Sequence, residues 1–125
     1  MALRKIITLP TGYTADYIKI AKYDHQKERK YSETIFSLWK DEATRHTPGA
    51  QPADPLAFRV RLEGAEFDEI FADGEYDETL IYNAVRSGLV KVDRFTGSDT
   101  KDTPPEQRML YGAESVFSPG QGQVP

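Results

Sequence analysis

The sequence predicts an α+β fold: a small antiparallel β-sheet, or a partly open β-barrel or sandwich, with one helix and an extended C-terminal arm. Three observations predict it. Alternating apolar and polar runs recur between turn signals, as in Phe58-Arg59-Val60-Arg61-Leu62, and alternation with polar outer residues belongs to antiparallel sheets rather than to parallel ones buried on both faces. One stretch after Asp73 has its apolar residues at helical spacing. From Gly97 to Pro125 neither period is present, and Pro or Gly fills eight of 29 positions. Such a composition offers too little apolar surface to offset the entropy of ordering it into a core.

In chain order, Arg4 to Leu9 is a β-type run closed by Pro10 and the Thr11-Gly12 turn signal. Tyr17 to Tyr23 follows, with Ile18 and Ile20 expected on one face and Tyr17, Lys19 and Tyr23 on the other. The polar stretch Asp24 to Lys30 reads as a hairpin connection to a return strand, Tyr31 to Lys40. There Phe36 and Leu38 share one face, Ile35 and Trp39 the other. A strand apolar on both faces lies centrally or has its second face covered. Asp41 to Leu56, with three prolines and a glycine, reads as a long loop, and loops of that length are often functional.

The clearest strand is Phe58 to Glu63, ended by Gly64. Phe67, Ile70 and Phe71 then stand at the spacing of a short helical turn. Asp73 is the expected N-cap of a helix over 74–87, with Leu80, Ile81, Ala84 and Val85 as its apolar stripe and Gly88 at the C′ position. Leu89 to Phe95 is the last expected strand, with Val90 and Val92 inward.

At 125 residues the chain fits one domain with a single core. The reading places that domain at 1–96 and the arm at 97–125. The absence of cysteine excludes disulfides, thiolate metal sites and cysteine nucleophiles. No apolar run has signal-peptide or membrane-span length, so the expectation is a protein made in a cytoplasm, without membrane partners. The net charge of −4 argues against a broadly basic nucleic-acid binder. Charge is unevenly spread, however. Lys19, Lys22, Lys27, Arg29 and Lys30 face only Asp24 and Glu28 between 19 and 30, whereas 63–78 holds eight acidic residues and no Lys or Arg. Complementary patches of this kind set register between identical subunits.

No catalytic or cofactor constellation emerges. His25 and His46 sit in separate polar stretches without metal-ligand spacing and read as solvated. The run Asp73-Gly74-Glu75-Tyr76-Asp77-Glu78 has its glycine at the wrong place for a calcium loop; carboxylates at a helix start are explained by the macrodipole. Glu66, Asp68 and Glu69 lack a neighbour to tune them as an acid–base pair. The expectation is no enzyme, no metal and no cofactor. Tyr17, Lys19, Lys22 and Tyr23 interleave aromatic and cationic groups as single-strand binders do, a secondary reading. Inside the arm, Met109-Leu110-Tyr111 and Val116-Phe117 are compact apolar knots. They read as apolar anchors in pockets on a partner, as aromatic hot spots usually are.

The start Met1 to Ile7, Gly12 with Tyr17-Ile18-Lys19-Ile20, the strand and turn Phe58 to Phe71, and Ile81-Tyr82-Asn83-Ala84-Val85 together resemble small structural proteins of tailed bacteriophages, associated with tail or baseplate. The resemblance covers roughly residues 1 to 88; the loop Thr47 to Pro55 and the arm after Thr96 depart from the shorter usual form. It implies a non-enzymatic component of the virion, made in the host cytoplasm. In the tail, the baseplate or a tail-fibre attachment, its partners would be other copies of itself and other virion structural proteins, reached through the arm 97–125 and the long loop Asp41 to Leu56. A capsid-decorating protein, a nucleic-acid-binding protein and a small adaptor are the alternatives.

Overall fold

A computed structural model describes residues 1–94 and 97–116. Its strands are β1 (Ala2–Thr8), β2 (Thr14–Gln26), β3 (Tyr31–Trp39), β4 (Asp54–Glu63), β5 (Asp93–Arg94), β6 (Gly97–Ser98) and β7 (Glu114–Val116), and its helices α1 (Glu42–Arg45), α2 (Ala65–Ile70) and α3 (Glu78–Arg86). All seven strands form one open antiparallel sheet in the order β6-β5-β4-β3-β2-β1-β7. The fold is therefore α+β, with an open sheet and not a barrel. Consecutive strands pair as neighbours from β1 to β6. Only β7 returns, crossing to the edge opposite β6.

The alternation in the sequence explains the layers. Ile18, Phe36, Leu38, Phe58, Val60 and Leu62 point to one face, where Phe67 of α2, Phe71, and Ile81, Tyr82 and Val85 of α3 cover them. The opposite face carries Lys19, Lys22, Ile35, Arg59 and Arg61. Among the described residues it is covered at one corner, where α1 sets Arg45 over the Trp39 ring at 5.2 Å. Under that corner Ala2, Tyr17 and Val116 form a second small buried cluster with Trp39 packed on it.

Several expectations change here. The face shared by Tyr17, Lys19 and Tyr23 does not exist, because the β2–β3 register slips between Ile20 and Lys22. One extra residue inverts the side-chain alternation beyond it. Tyr17 is fully buried on the open-face side, while Tyr23 swings to the helix side and stacks on Tyr76 with ring centroids 3.8 Å apart. Tyr82 answers the same bulge: its hydroxyl oxygen accepts the Ile20 N–H at 2.7 Å. The helix expected over 74–87 spans only 78–86 and is capped by Asp77, which accepts from Thr79 N. Asp73 is occupied by a tighter turn, accepting from Glu75 N at 2.9 Å. The strand expected over 89–95 starts only at Asp93, because both the N–H and the carbonyl of Val92 bond to Asp99 instead of to β4; Phe95 lies outside the described residues. The long loop after Trp39 contains α1, capped by Asp41, and ends earlier, at Asp54.

The uneven charge is also used within the chain. Lys27 reaches Glu75 at 2.6 Å and Lys30 reaches Asp68 at 3.0 Å, so the cationic hairpin end docks on the acidic stretch of its own molecule. Both pairs are exposed, and exposed pairs contribute little to stability; their role is to set where the hairpin lies.

His25 is not a solvated loop residue. It lies on β2, half-buried, with Nδ1 3.1 Å from Ser32 Oγ and Nε2 2.8 Å from the Gly74 carbonyl. The rings of Phe67, Phe71 and Tyr76 surround it at centroid distances of 5.1, 4.9 and 5.4 Å. Burial pushes the Tyr76 hydroxyl up to about 12, against an opposing hydrogen bond with Thr34. The unfolded chain therefore releases this proton first as pH rises. The stabilisation is complete below the ordinary tyrosine value of 10.0 and is lost as pH climbs toward about 12. Urea unfolding on either side of pH 10 is expected to show this loss, and Tyr76→Phe to reduce the slope above it.

Candidate functional site

The most heavily built feature is the seat of the C-terminal segment. The arm expected over 97–125 is an arm in course but not a free one, and the folded unit does not stop at residue 96. Gly97 and Ser98 pair with β5. The chain then crosses the helix-covered side and ends as β7 on β1, with Ala2 opposite Val116, Leu3 opposite Ser115 and Arg4 opposite Glu114. We call residues 97–116 the strap, since it joins the two edges of the sheet.

Main-chain polar groups of the strap are met by groups of the domain. Lys5 Nζ donates to the carbonyls of Met109 and Tyr111 at 2.8 and 2.9 Å. Arg86 Nε donates to the Ala113 carbonyl at 3.0 Å, and the Arg86 carbonyl accepts the Gly112 N–H at 2.8 Å. Arg108, from the strap itself, donates to the Gly88 carbonyl at 3.0 Å. Asp99 is the hub. Its buried carboxylate accepts from Val92 N at 3.0 Å and from Met109 N at 3.2 Å, tying the end of the α3–β5 connection to the strap. Burial lowers the pKa of Lys5, and the nearby Asp99 charge opposes that shift. Arg4 adds ion pairs to Glu114 at 3.8 Å and Glu42 at 3.5 Å, so one cation touches both β7 and α1.

The apolar anchors divide. Leu110 and Ala113 are fully buried in the main core, and Met109 packs against it half-buried. Val116 belongs to the small cluster with Ala2 and Tyr17. Tyr111 alone of the described anchors stands outward, 41% exposed. Phe117 lies outside the described residues. The apolar run at 109–111 thus serves mainly the chain's own core: with the sheet face already presenting Leu3 and Ile7, burying Leu110 there removes apolar area from water without a partner. Nothing in the local sequence distinguishes a residue that fills its own core from one that fills a neighbour's.

The four residues of the secondary reading are scattered. Tyr17 is buried under α1, with His46 edge-on at 6.3 Å; Lys19 Nζ donates to the Met1 carbonyl at 2.8 Å; Lys22 lies on the open face; Tyr23 lies against Tyr76. They do not form one stacking platform. On the open face Arg59 and Arg61 converge on Glu33 at 3.9 and 3.5 Å, and Arg59 also meets Asp93 at 3.4 Å. Beside them runs a groove of about 380 Å³ whose lining includes Ile35, Leu56, Ala57, Arg59 and Arg94. Among the described residues no three His, Asp or Glu side chains gather as a metal site, and no helix is long and apolar enough to cross a membrane.

In comparison with known proteins, the chain matches no protein-family model, no curated protein and no solved structure.

Proposed function

We propose that this chain is a non-enzymatic structural subunit of a tailed-phage virion, in the tail or baseplate, that acts through contacts with copies of itself and with neighbouring virion proteins. The observation that carries this reading is the strap. A segment without regular structure over most of its length is held against the domain by cation-to-carbonyl bonds from Lys5 and Arg86, and by its own buried Asp99 carboxylate, which accepts from Val92 N. That arrangement delivers the chain to the sheet edge at Val116, from which residues 117–125 continue. Tyr111 on the strap and Ile6 on the neighbouring strand, 41% and 73% exposed, supply apolar contact area where the strap approaches β1, next to the Lys5–Tyr111 bond. A tyrosine such as Tyr111 is a frequent anchor of an assembly interface when a partner buries it at the centre of the contact. The open sheet face, with its Arg59–Glu33–Arg61 network, supplies orientation more than affinity.

Mass spectrometry of purified virions tests this directly: the chain is expected among the particle proteins, and its absence would overturn the reading. Removing residues 117–125, with or without Tyr111→Ala, leaves Leu110 and β7 in place. Particles made with that variant are expected to carry less of it. A deletion from residue 98 onward would instead remove core residues and report on folding.

A further inference from the structure

We infer that the seat of the strap is also an intermolecular socket, filled by the strap of a second copy when copies are concentrated. This rests on the assembly reading above for its setting, but its argument is the geometry of the strap.

The occupant of the socket is already known in chemical detail. It is an extended segment presenting the Met109, Tyr111 and Ala113 carbonyls to Lys5 and Arg86, a leucine for the core, and a β-edge for Ala2 to Arg4. These partners are remote in sequence, Lys5 and Met109 by 104 positions. The seat therefore recognises the segment through space, whichever chain supplies it. Between the two anchored ends lies a natural hinge. Thr100 to Thr103 forms an exposed turn closed by bonds among its own residues: Thr100 N to Thr103 Oγ1 at 2.9 Å, Thr103 N to Thr100 O at 3.1 Å, and Asp102 N to Thr100 Oγ1 at 3.2 Å. Pro104 and Pro105 follow, so what lies beyond the turn leaves in a stiffened direction. Straightening the turn loses those bonds, the Thr100–Thr103 hydroxyl contact and, where Thr103 turns away, the Arg108 bond to its carbonyl, all local, and directs residues 105–116 toward a neighbour, where the contacts with the seat are remade. Exchange of an identical element costs little for that reason, and closely spaced copies raise the effective concentration of the incoming strap.

The absence of cysteine gives a clean test. Ala2 and Val116 are register partners and both buried, so Ala2→Cys and Val116→Cys place two thiols across one strand pair. In the double variant, oxidation is expected to give a disulfide, within one chain in dilute protein. In a mixture of the two single variants, distinguishable by tag, a disulfide between the two introduced thiols forms only if one chain's strap lies on the other's β1. The heterodimeric band is expected to rise in proportion to protein concentration. It should rise further when Lys101 and Asp102 are deleted from the hinge, which a closed monomer cannot easily span. A mixture that yields no heterodimer at any concentration, with the shortened hinge included, overturns the inference, and so does a folded double variant that forms no disulfide. Circular dichroism establishes folding in each case. A chain found in virions but cross-linked only within itself would sink this inference alone; heterodimers from a chain absent from virions would sink only the virion reading.

Discussion

Leu110→Ala is expected to destabilise the whole domain by about 2–5 kcal/mol, the range for truncating a buried leucine. Against a total stability of about 5–15 kcal/mol for a domain of this kind, that is a large fraction. The reason is the neighbourhood: Leu110 is 0% exposed and joins the same core as Leu3, Ile18, Phe36 and Tyr82. The check is equilibrium unfolding in urea, where the midpoint should fall with little change in slope. A leucine that served only as a partner's anchor on a loose arm would, when truncated, change stability by no more than about 0.5 kcal/mol. That outcome would show that the strap is not seated. Tyr111→Ala provides the contrast within the same run, since its exposed ring should matter little to folding and more to assembly.

Gly88→Ala is the second large effect, and it acts through backbone. Gly88 follows α3 with φ +76°; its N–H reaches the Val85 carbonyl and the Leu89 N–H the Ala84 carbonyl, a helix end that calls for a left-handed residue. Left-handed geometry alone costs a side-chain-bearing residue about 1–2 kcal/mol. Here a Cβ would also stand 2.4 Å from the Pro105 carbonyl oxygen and 2.8 Å from its carbon. Those are main-chain atoms of the strap, so the strap itself must shift, adding roughly 1–3 kcal/mol of overpacking. Gly49→Ala is the control: its φ is similar, +79°, with nothing within 4 Å of the added carbon. Thermal or urea unfolding should rank Gly88→Ala well below Gly49→Ala. Combined with Leu110→Ala, the Gly88 penalty should shrink, because the two substitutions act on one displaced segment and so are not additive.

Where side-chain period settles a residue's environment, the fold was legible. Phe36 and Leu38 against Ile35 and Trp39, the stripe Phe58-Val60-Leu62, and the buried Ile81, Ala84 and Val85 of α3 all stand where alternation or helical spacing puts them, whereas Leu80, expected in that stripe, is exposed and Tyr82 is buried in its stead. Gly88 was legible as a helix end from its position after an apolar stripe. The face of β2 was not, because one extra residue at the Ile20–Lys22 slip inverts everything after it, and no composition signal marks a bulge. His25 was misplaced for a different reason: the polar run from Asp24 reads as a hairpin connection, whereas β2 continues to Gln26, and the slip then turns His25 toward Phe67 and Phe71.

The candidate site was half legible. That Met109-Leu110-Tyr111 and Val116 are more than a solvated tail follows from their apolarity alone. Which surface they bury against does not. The sequence by itself determined an α+β chain with an antiparallel sheet, one principal helix, and a proline- and glycine-rich C-terminal segment with apolar anchors. Those properties arise from contacts between near neighbours, which periodicity and turn chemistry encode. Only the tertiary structure decided that the segment lies on its own sheet, closing the edge at β1, with Asp99 holding it and Gly88 making room. The β1–β7 pairing and the Lys5 bonds join residues from opposite ends of the described chain, Lys5 and Met109 being 104 positions apart, and hydrophobic burial, having no direction, rewards a leucine equally in either chain's core.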